Sequence, residues 1–140
     1  LGTIQEWFCA TPQTATEMGQ GIELDDLLTH RWVTTPWQDR SFRLTNQKTQ
    51  QERIVKPEPY MHLDAFSGVM NLIKTNVGFG LLPDVIARPL LNNQQFVRLV
   101  PDWSGPSWPV YFTHAYQSER PLHIHRCYQL IQSYCERNRF

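Results

Sequence analysis

The side chains that could do chemistry are few and scattered. His123, His125 and Cys127 have the residue types of a metal site. On a helix only His123 and Cys127, four apart, share a face, and two ligands do not close a zinc site. Solvated histidines beside a core cysteine are the expectation. Cys9 with a histidine would make a cysteine hydrolase, but Cys9 lies inside the apolar run Trp7-Phe8-Cys9-Ala10. It is away from any helix N-terminus that would lower its pKa. No Gly-x-Ser-x-Gly elbow offers a serine nucleophile. Asp25-Asp26 opens a helix, where the macrodipole accounts for paired carboxylates. Gly78-Phe79-Gly80 follows a helix and precedes an apolar strand, the reverse of a phosphate cradle, so a helix C-cap at Gly78 is expected. No catalytic residue, metal or cofactor is therefore expected.

What remains is binding chemistry. Thr34-Thr35-Pro36 closes a strand, and ligands of open α/β sheets sit beyond the carboxyl ends of strands. Two hydroxyls there can hydrogen-bond a carboxylate or a carbonyl. Asp64 follows Leu63 at a strand end and is read as the N-cap of a helix. Backbone donors at Phe66 and Ser67 could hold an anion there, with Asp64 competing for them. Trp103, Trp108 and Tyr111 surround a Pro-rich segment, either covering a cleft or anchoring their own loop.

The elements that must position these groups alternate. Strands are expected over Thr3–Ala10, Arg31–Thr34, Ser41–Thr45, Gln51–Val55, Tyr60–Leu63, Gly78–Leu82, Phe96–Val100 and Val110–His114. The third and fourth form a hairpin, and Pro57 and Pro59 lead into the fifth. Helical stretches are expected at Thr14–Met18, Glu23–Thr29, from Asp64 to a stop at Asn76, at Asp84–Leu91 with a kink or early end at Pro89, and at Leu122–Glu136. In the last, Leu122, Cys127, Leu130, Ile131 and Tyr134 approach one stripe. Pro101–Pro109 reads as a linker. Alternating strands and helices argue for α/β layers around a mostly parallel sheet.

Composition narrows the class. Of 140 residues, 41% are hydrophobic and 19% charged, as in a folded globular protein. Lys plus Arg and Asp plus Glu both number 13, so the basic surplus of a free-standing DNA-binding domain is absent. The three cysteines have no framework spacing and fit reduced, buried thiols in a cytoplasmic protein. No apolar run is long enough to cross a bilayer. A chain starting Leu1-Gly2-Thr3 is expected to be a fragment.

Four stretches in order resemble the effector-binding domain of LysR-type transcription regulators. They are Glu23–Trp32, His62-Leu63-Asp64 with its helix, Asn76–Asp84 with the turn and Leu-Pro ending, and Phe96–Trp103. That resemblance implies a two-lobed α/β domain similar to periplasmic binding proteins, with an effector held between the lobes. It implies that residues 1–100 are a Rossmann-like second lobe and 101–109 a crossing segment. Residues 110–140 would be the strand and helix that return to a first lobe mostly absent here. The implied effector contacts are Thr34, Thr35, Pro36, Leu63, Asp64 and Phe66. The implied function is sensing a small metabolite to control a DNA-binding domain carried elsewhere, with DNA touched only through that domain. No enzyme activity and no membrane contact are expected. The resemblance, with the uncovered apolar helix face, implies a homodimer or higher oligomer, and a single lobe implies weak or no effector affinity. A solute-binding protein for transport, on the same two-lobed plan, is the alternative.

Overall fold

A computed structural model describes residues 1–38, 41–56, 58–115 and 121–138. Pro57, expected to lead into a strand, lies outside them, as do residues 116–120 and 139–140 of the expected returning segment. The chain divides into two compact units. One comprises Leu1–Ile4 with Ser107–Phe140, the other Gln5–Pro106.

The larger unit is built on a sheet of order β5-β2-β6-β1-β7, formed by β1 (Gly2–Ala10), β2 (Trp32–Thr34), β5 (Met61–His62), β6 (Phe79–Pro83) and β7 (Val97–Arg98). β2, β6 and the second half of β1 read as apolar runs because both faces are covered there. Phe8, Trp32 and Leu81 point into one core cluster, with Leu24, Leu27, Leu44 and Phe79. Their chain neighbours Cys9, Val33 and Leu82 point into another, with Val69, Ile73, Ala87 and Phe96. Period-two alternation thus supplies two cores from one set of strands. The expectation of a mostly parallel sheet is corrected to a mixed one. β2 runs parallel to β5 and β6, whereas β1 is antiparallel to β6 and β7. Local alternation of strands and helices carries no information about the direction of β1, whose partners lie far along the chain.

A second sheet of order β4-β3-β8 packs its buried residues on the first cluster. It comprises β3 (Phe42–Asn46), β4 (Glu52–Val55) and β8 (Trp103–Ser104). The expected hairpin is present, with Phe42 opposite Val55. Its turn is closed by Asn46, whose Oδ1 accepts from the N–H groups of Lys48 and Thr49 at 3.0 Å. The expected linker therefore contains strand β8 and the start of β9 (Ser107–Val110). The strand expected over Val110–His114 lies earlier, as β9.

Helices end where local chemistry ends them. α1 (Pro12–Met18) starts two residues before the expected stretch. Thr11 caps it by accepting the Thr14 N–H, and Pro12 takes a position whose missing N–H costs nothing. α2 is shorter than expected, Leu24–Leu27, with Asp25 and Asp26 in its first turn. α3 spans Phe66–Lys74 and α4 spans Asp84–Asn92. α4 runs past Pro89 to Asn92, correcting the expected early end, since one missing N–H removes a single hydrogen bond and Asn93 N still finds the Pro89 carbonyl.

At the end of α3 the expected cap at Gly78 is also corrected. Asn76 takes the left-handed conformation (φ 60°), and the Asn76 and Val77 N–H groups close onto the carbonyls of Ile73 and Leu72. The Asn76 side chain holds that turn against α1. The hydroxyls of Thr11 and Thr14 sit on its Oδ1, and its Nδ2 donates to Gln13 Oε1 at 3.0 Å.

In the smaller unit β9 pairs with β1, and the Leu1 amino group donates to the Val110 carbonyl at 2.9 Å. α5 runs Leu122–Asn138, and Tyr128 meets Phe112 edge to face at 5.6 Å between centroids. Cys135 is buried, while Cys127 is exposed, correcting its expected place in the core. Leu122, Leu130 and Tyr134 of the expected apolar stripe are also exposed.

Candidate functional site

Parallel strands β2, β5 and β6 end on one edge of the larger unit's sheet, and the residues singled out for binding stand there. Thr34 and Thr35 are both fully buried. Thr34 sits opposite His62 in the β2–β5 pair, and its Oγ1 shares a hydrogen bond with His62 Nδ1 at 3.0 Å. The Leu63 N–H donates to the Thr34 carbonyl at 3.0 Å, which joins the two strand ends. Thr35 Oγ1 is buried and has no hydrogen-bond partner among the described residues. An unpaired buried hydroxyl carries a desolvation cost. Pro36 is exposed and starts a short 3-10 turn, Pro36–Gln38.

Leu63 and Phe66 are half-buried, and Asp64 is exposed. The expected N-cap role of Asp64 is corrected. Ala65 is the N-cap, in extended conformation, and its carbonyl accepts from Gly68 and Val69 at 3.1 and 3.2 Å. Because the helix starts one residue later, the Asp64 carboxylate sits before the cap, and the N-cap Ala65 itself has no side chain that could cap the first turn. The N–H groups at the start of α3 therefore keep the partial positive charge of a helix terminus.

Behind this edge lies a polar cluster that sequence reading missed. Gln38 is 2% exposed and Glu6 is 3% exposed. The Gln38 amide Nε2 donates to the Leu81 carbonyl at 2.9 Å and to Glu6 Oε2 at 3.3 Å, and its Oε1 accepts the Thr35 N–H at 3.3 Å. Glu6 in the middle of the β1 apolar run was the available signal. Beside it, Asp84 is 2% exposed, pairs with Arg88 and accepts the Gln5 N–H at 3.1 Å. The Trp7 ring meets two guanidinium groups, Arg98 at 4.3 Å and Arg88 at 4.8 Å from its centroid.

Burial pushes the Cys9 thiol up to about 12, against the opposing pull of Arg98, so it stays protonated at neutral pH. Among the described residues, no three of His, Cys, Asp or Glu group as metal ligands. No helix among them is long and apolar enough to cross a membrane. The Gly78-Phe79-Gly80 stretch serves packing. A Cβ on Gly80 would meet Ile73 Cδ1 at 2.7 Å, so α3 lies directly on the strand. Trp103 is half-buried against the first core cluster, whereas Trp108 and Tyr111 are exposed.

The model of the LysR substrate binding domain family matches residues 1–136. Among solved structures, the regulatory domain of AphB from Vibrio vulnificus, treated with cumene hydroperoxide, matches at TM-score 0.80 and 19% identity, covering 95% of this chain and 66% of that one. The effector domain of AmpR from Pseudomonas aeruginosa matches at TM-score 0.63 and 14% identity, covering 97% of this chain and 65% of that one. Full-length AphB, the Vibrio cholerae virulence activator, matches at TM-score 0.66 and 22% identity, covering 76% of this chain. This chain spans only 36% of that full-length protein. At such identities the likeness is one of fold. No curated protein matches the chain.

Proposed function

The chain belongs to the LysR substrate binding domain family, and from that premise we propose that it is the effector-sensing part of a bacterial LysR-type transcription regulator. It binds a small metabolite at the strand-end edge through Thr34, Thr35, Pro36, Leu63, Asp64 and Phe66. Residues 1–100 supply one lobe of a two-lobed domain similar to periplasmic binding proteins, and 110–140 return to the facing lobe. The effector favours one of two states of the whole regulator by binding it more tightly, and an attached DNA-binding domain reads that state. The protein performs no catalysis, works in the cytoplasm and touches DNA only through that other domain. It associates as a homodimer or higher oligomer, a reading supported by the exposed Leu122, Leu130 and Tyr134 on α5.

The observation that carries the site is the convergence, at the carboxyl ends of parallel strands, of the buried Thr35 hydroxyl, without a hydrogen-bond partner among the described residues, and the start of α3, whose N-cap Ala65 brings no capping side chain. The test is an NMR titration of the intact regulatory domain with a library of small carboxylates, amino acids and aromatic acids. Shifts concentrated at Thr34, Thr35, Leu63 and Phe66 are expected, with much weaker binding to this chain alone. Tight binding to this chain alone would contradict the two-lobe reading. Shifts centred on the polar groove of about 240 Å³ lined by Thr14, Glu17, His30, Arg31 and Asn76 would overturn the assigned site.

A further inference from the structure

We infer that Gln38 is a positioning residue that couples the Thr34–Pro36 segment, through Glu6, to the chain crossing at Gly105–Pro106. The inference rests on the proposed binding role of that segment and names the side chains that transmit its state.

Gln38 closes the turn after Thr35 twice, since its own N–H donates to the Thr35 carbonyl at 2.9 Å and its Oε1 accepts the Thr35 N–H. Both hydrogens of its amide are then spent on β6 and β1, at the Leu81 carbonyl and at Glu6 Oε2. With Gln38 and Glu6 both almost fully buried, these bonds have no water to replace them. Glu6 in turn is clamped by the crossing segment. Its N–H donates to the Pro106 carbonyl at 3.2 Å, and its carbonyl accepts from Gly105 N at 2.8 Å.

Gly105 shows how tightly that segment lies. A Cβ there would meet Leu81 Cδ2 at 2.9 Å and Glu6 Cβ at 3.1 Å. The two residues that Gly105 presses on are the two that Gln38 bonds. The division between the compact units falls beside them, before Gln5 and after Pro106. Any rearrangement of the Thr35 turn that withdraws Gln38 breaks its bonds to the Leu81 carbonyl and to Glu6 Oε2, next to the crossing.

Residue-resolved amide hydrogen exchange on the whole chain tests the coupling and needs no ligand. In Gln38→Met, which keeps the length and removes the amide, exchange at Thr35, Glu6 and Gly105 should quicken together by roughly tenfold, while the Leu44 and Arg53 amides of the hairpin keep their wild-type rates. Acceleration at Thr35 alone would reduce Gln38 to a local turn anchor and overturn the inference. Should Gln38→Met loosen the whole fold, native-state exchange of the unchanged chain in dilute denaturant decides. Thr35, Glu6 and Gly105 should then share one opening free energy below that of the core amides Phe8 and Leu82, and separate values or global opening alone would refute the coupling. The library titration reads the binding site separately, so either idea can fail without the other.

Discussion

Gly78→Ala places the heaviest demand on the fold. A Cβ on Gly78 would lie 2.1 Å from the Arg31 carbonyl oxygen and 3.0 Å from the Arg31 carbonyl carbon. That oxygen already accepts the Phe79 N–H at 3.0 Å, at the point where β6 begins beside β2. The obstacle is backbone, so relief requires displacing the start of β2 or breaking the hydrogen bond. Overpacking of this kind costs about 1–3 kcal/mol and the lost bond about 1 kcal/mol more, giving roughly 2–4 kcal/mol. Gly80→Ala is the control. Its new methyl would meet Ile73 Cδ1 and, at 3.1 Å, Val69 Cγ1, side-chain ends that can shift, for about 1 kcal/mol. Urea denaturation followed by circular dichroism measures both. In a chain of this length each kcal/mol moves Tm by about 3 °C, so Gly78→Ala should melt about 6–12 °C low. A Gly78→Ala protein within about 0.5 kcal/mol of wild type, or one less affected than Gly80→Ala, would refute the argument from backbone contact.

The Cys9 thiol makes stability fall with pH in the alkaline range. Its folded pKa, about 12, lies above the thiol's ordinary value of 9.0, so the stabilisation is complete below pH 9 and is lost as pH rises toward 12. The slope should approach about 1.4 kcal/mol per pH unit at most, and the difference between wild type and Cys9→Ala in urea titrations at several pH values isolates it. With a thiol reagent at mildly alkaline pH, Cys127 should label at once, whereas Cys9 and Cys135 should label only on unfolding. Equal rates for all three would contradict the burial pattern. Asn76→Gly relieves the left-handed backbone but loses the bonds to Thr11, Thr14 and Gln13, for a net loss of about 1–2 kcal/mol, and Asn76→Ala should be worse because it gains no relief. Urea midpoints that rank Ala above Gly would show the turn is not held as described.

Much of the core was readable because its strands are buried on both faces. Trp7-Phe8-Cys9-Ala10, Trp32-Val33-Thr34 and Phe79-Gly80-Leu81-Leu82 advertise themselves as apolar runs, and α3 by its 3.6-residue period. Boundaries set by one hydrogen bond were less legible. Thr11-Pro12 falls between the expected strand and the expected helical stretch, yet its capping hydroxyl before a proline is what opens α1. Asp64 has the better capping chemistry, yet Ala65 caps because the helix enters one residue later, a choice made by packing. Thr34 and Thr35 could be placed at a strand end from the chain itself. Gln38 could not be paired with Glu6, because 32 residues separate them and a lone glutamine near a proline looks like any turn residue.

The interior position of β1, between β6 and β7, has a kinetic consequence. Cys9 pairs with Gly80 on one side and Arg98 on the other, so its two neighbours leave the ribosome long after it does. At synthesis rates of about 5–20 residues per second, the Trp7–Ala10 run waits roughly 4–14 s for β6 to appear. During that interval its most apolar strand has no native partner, and contacts of such long sequence separation form slowly even when both halves are present. The α3–β6 stretch, joined by one tight turn at Asn76, can assemble on its own timescale first. The earliest strand therefore takes its place between β6 and β7 only after both have been made.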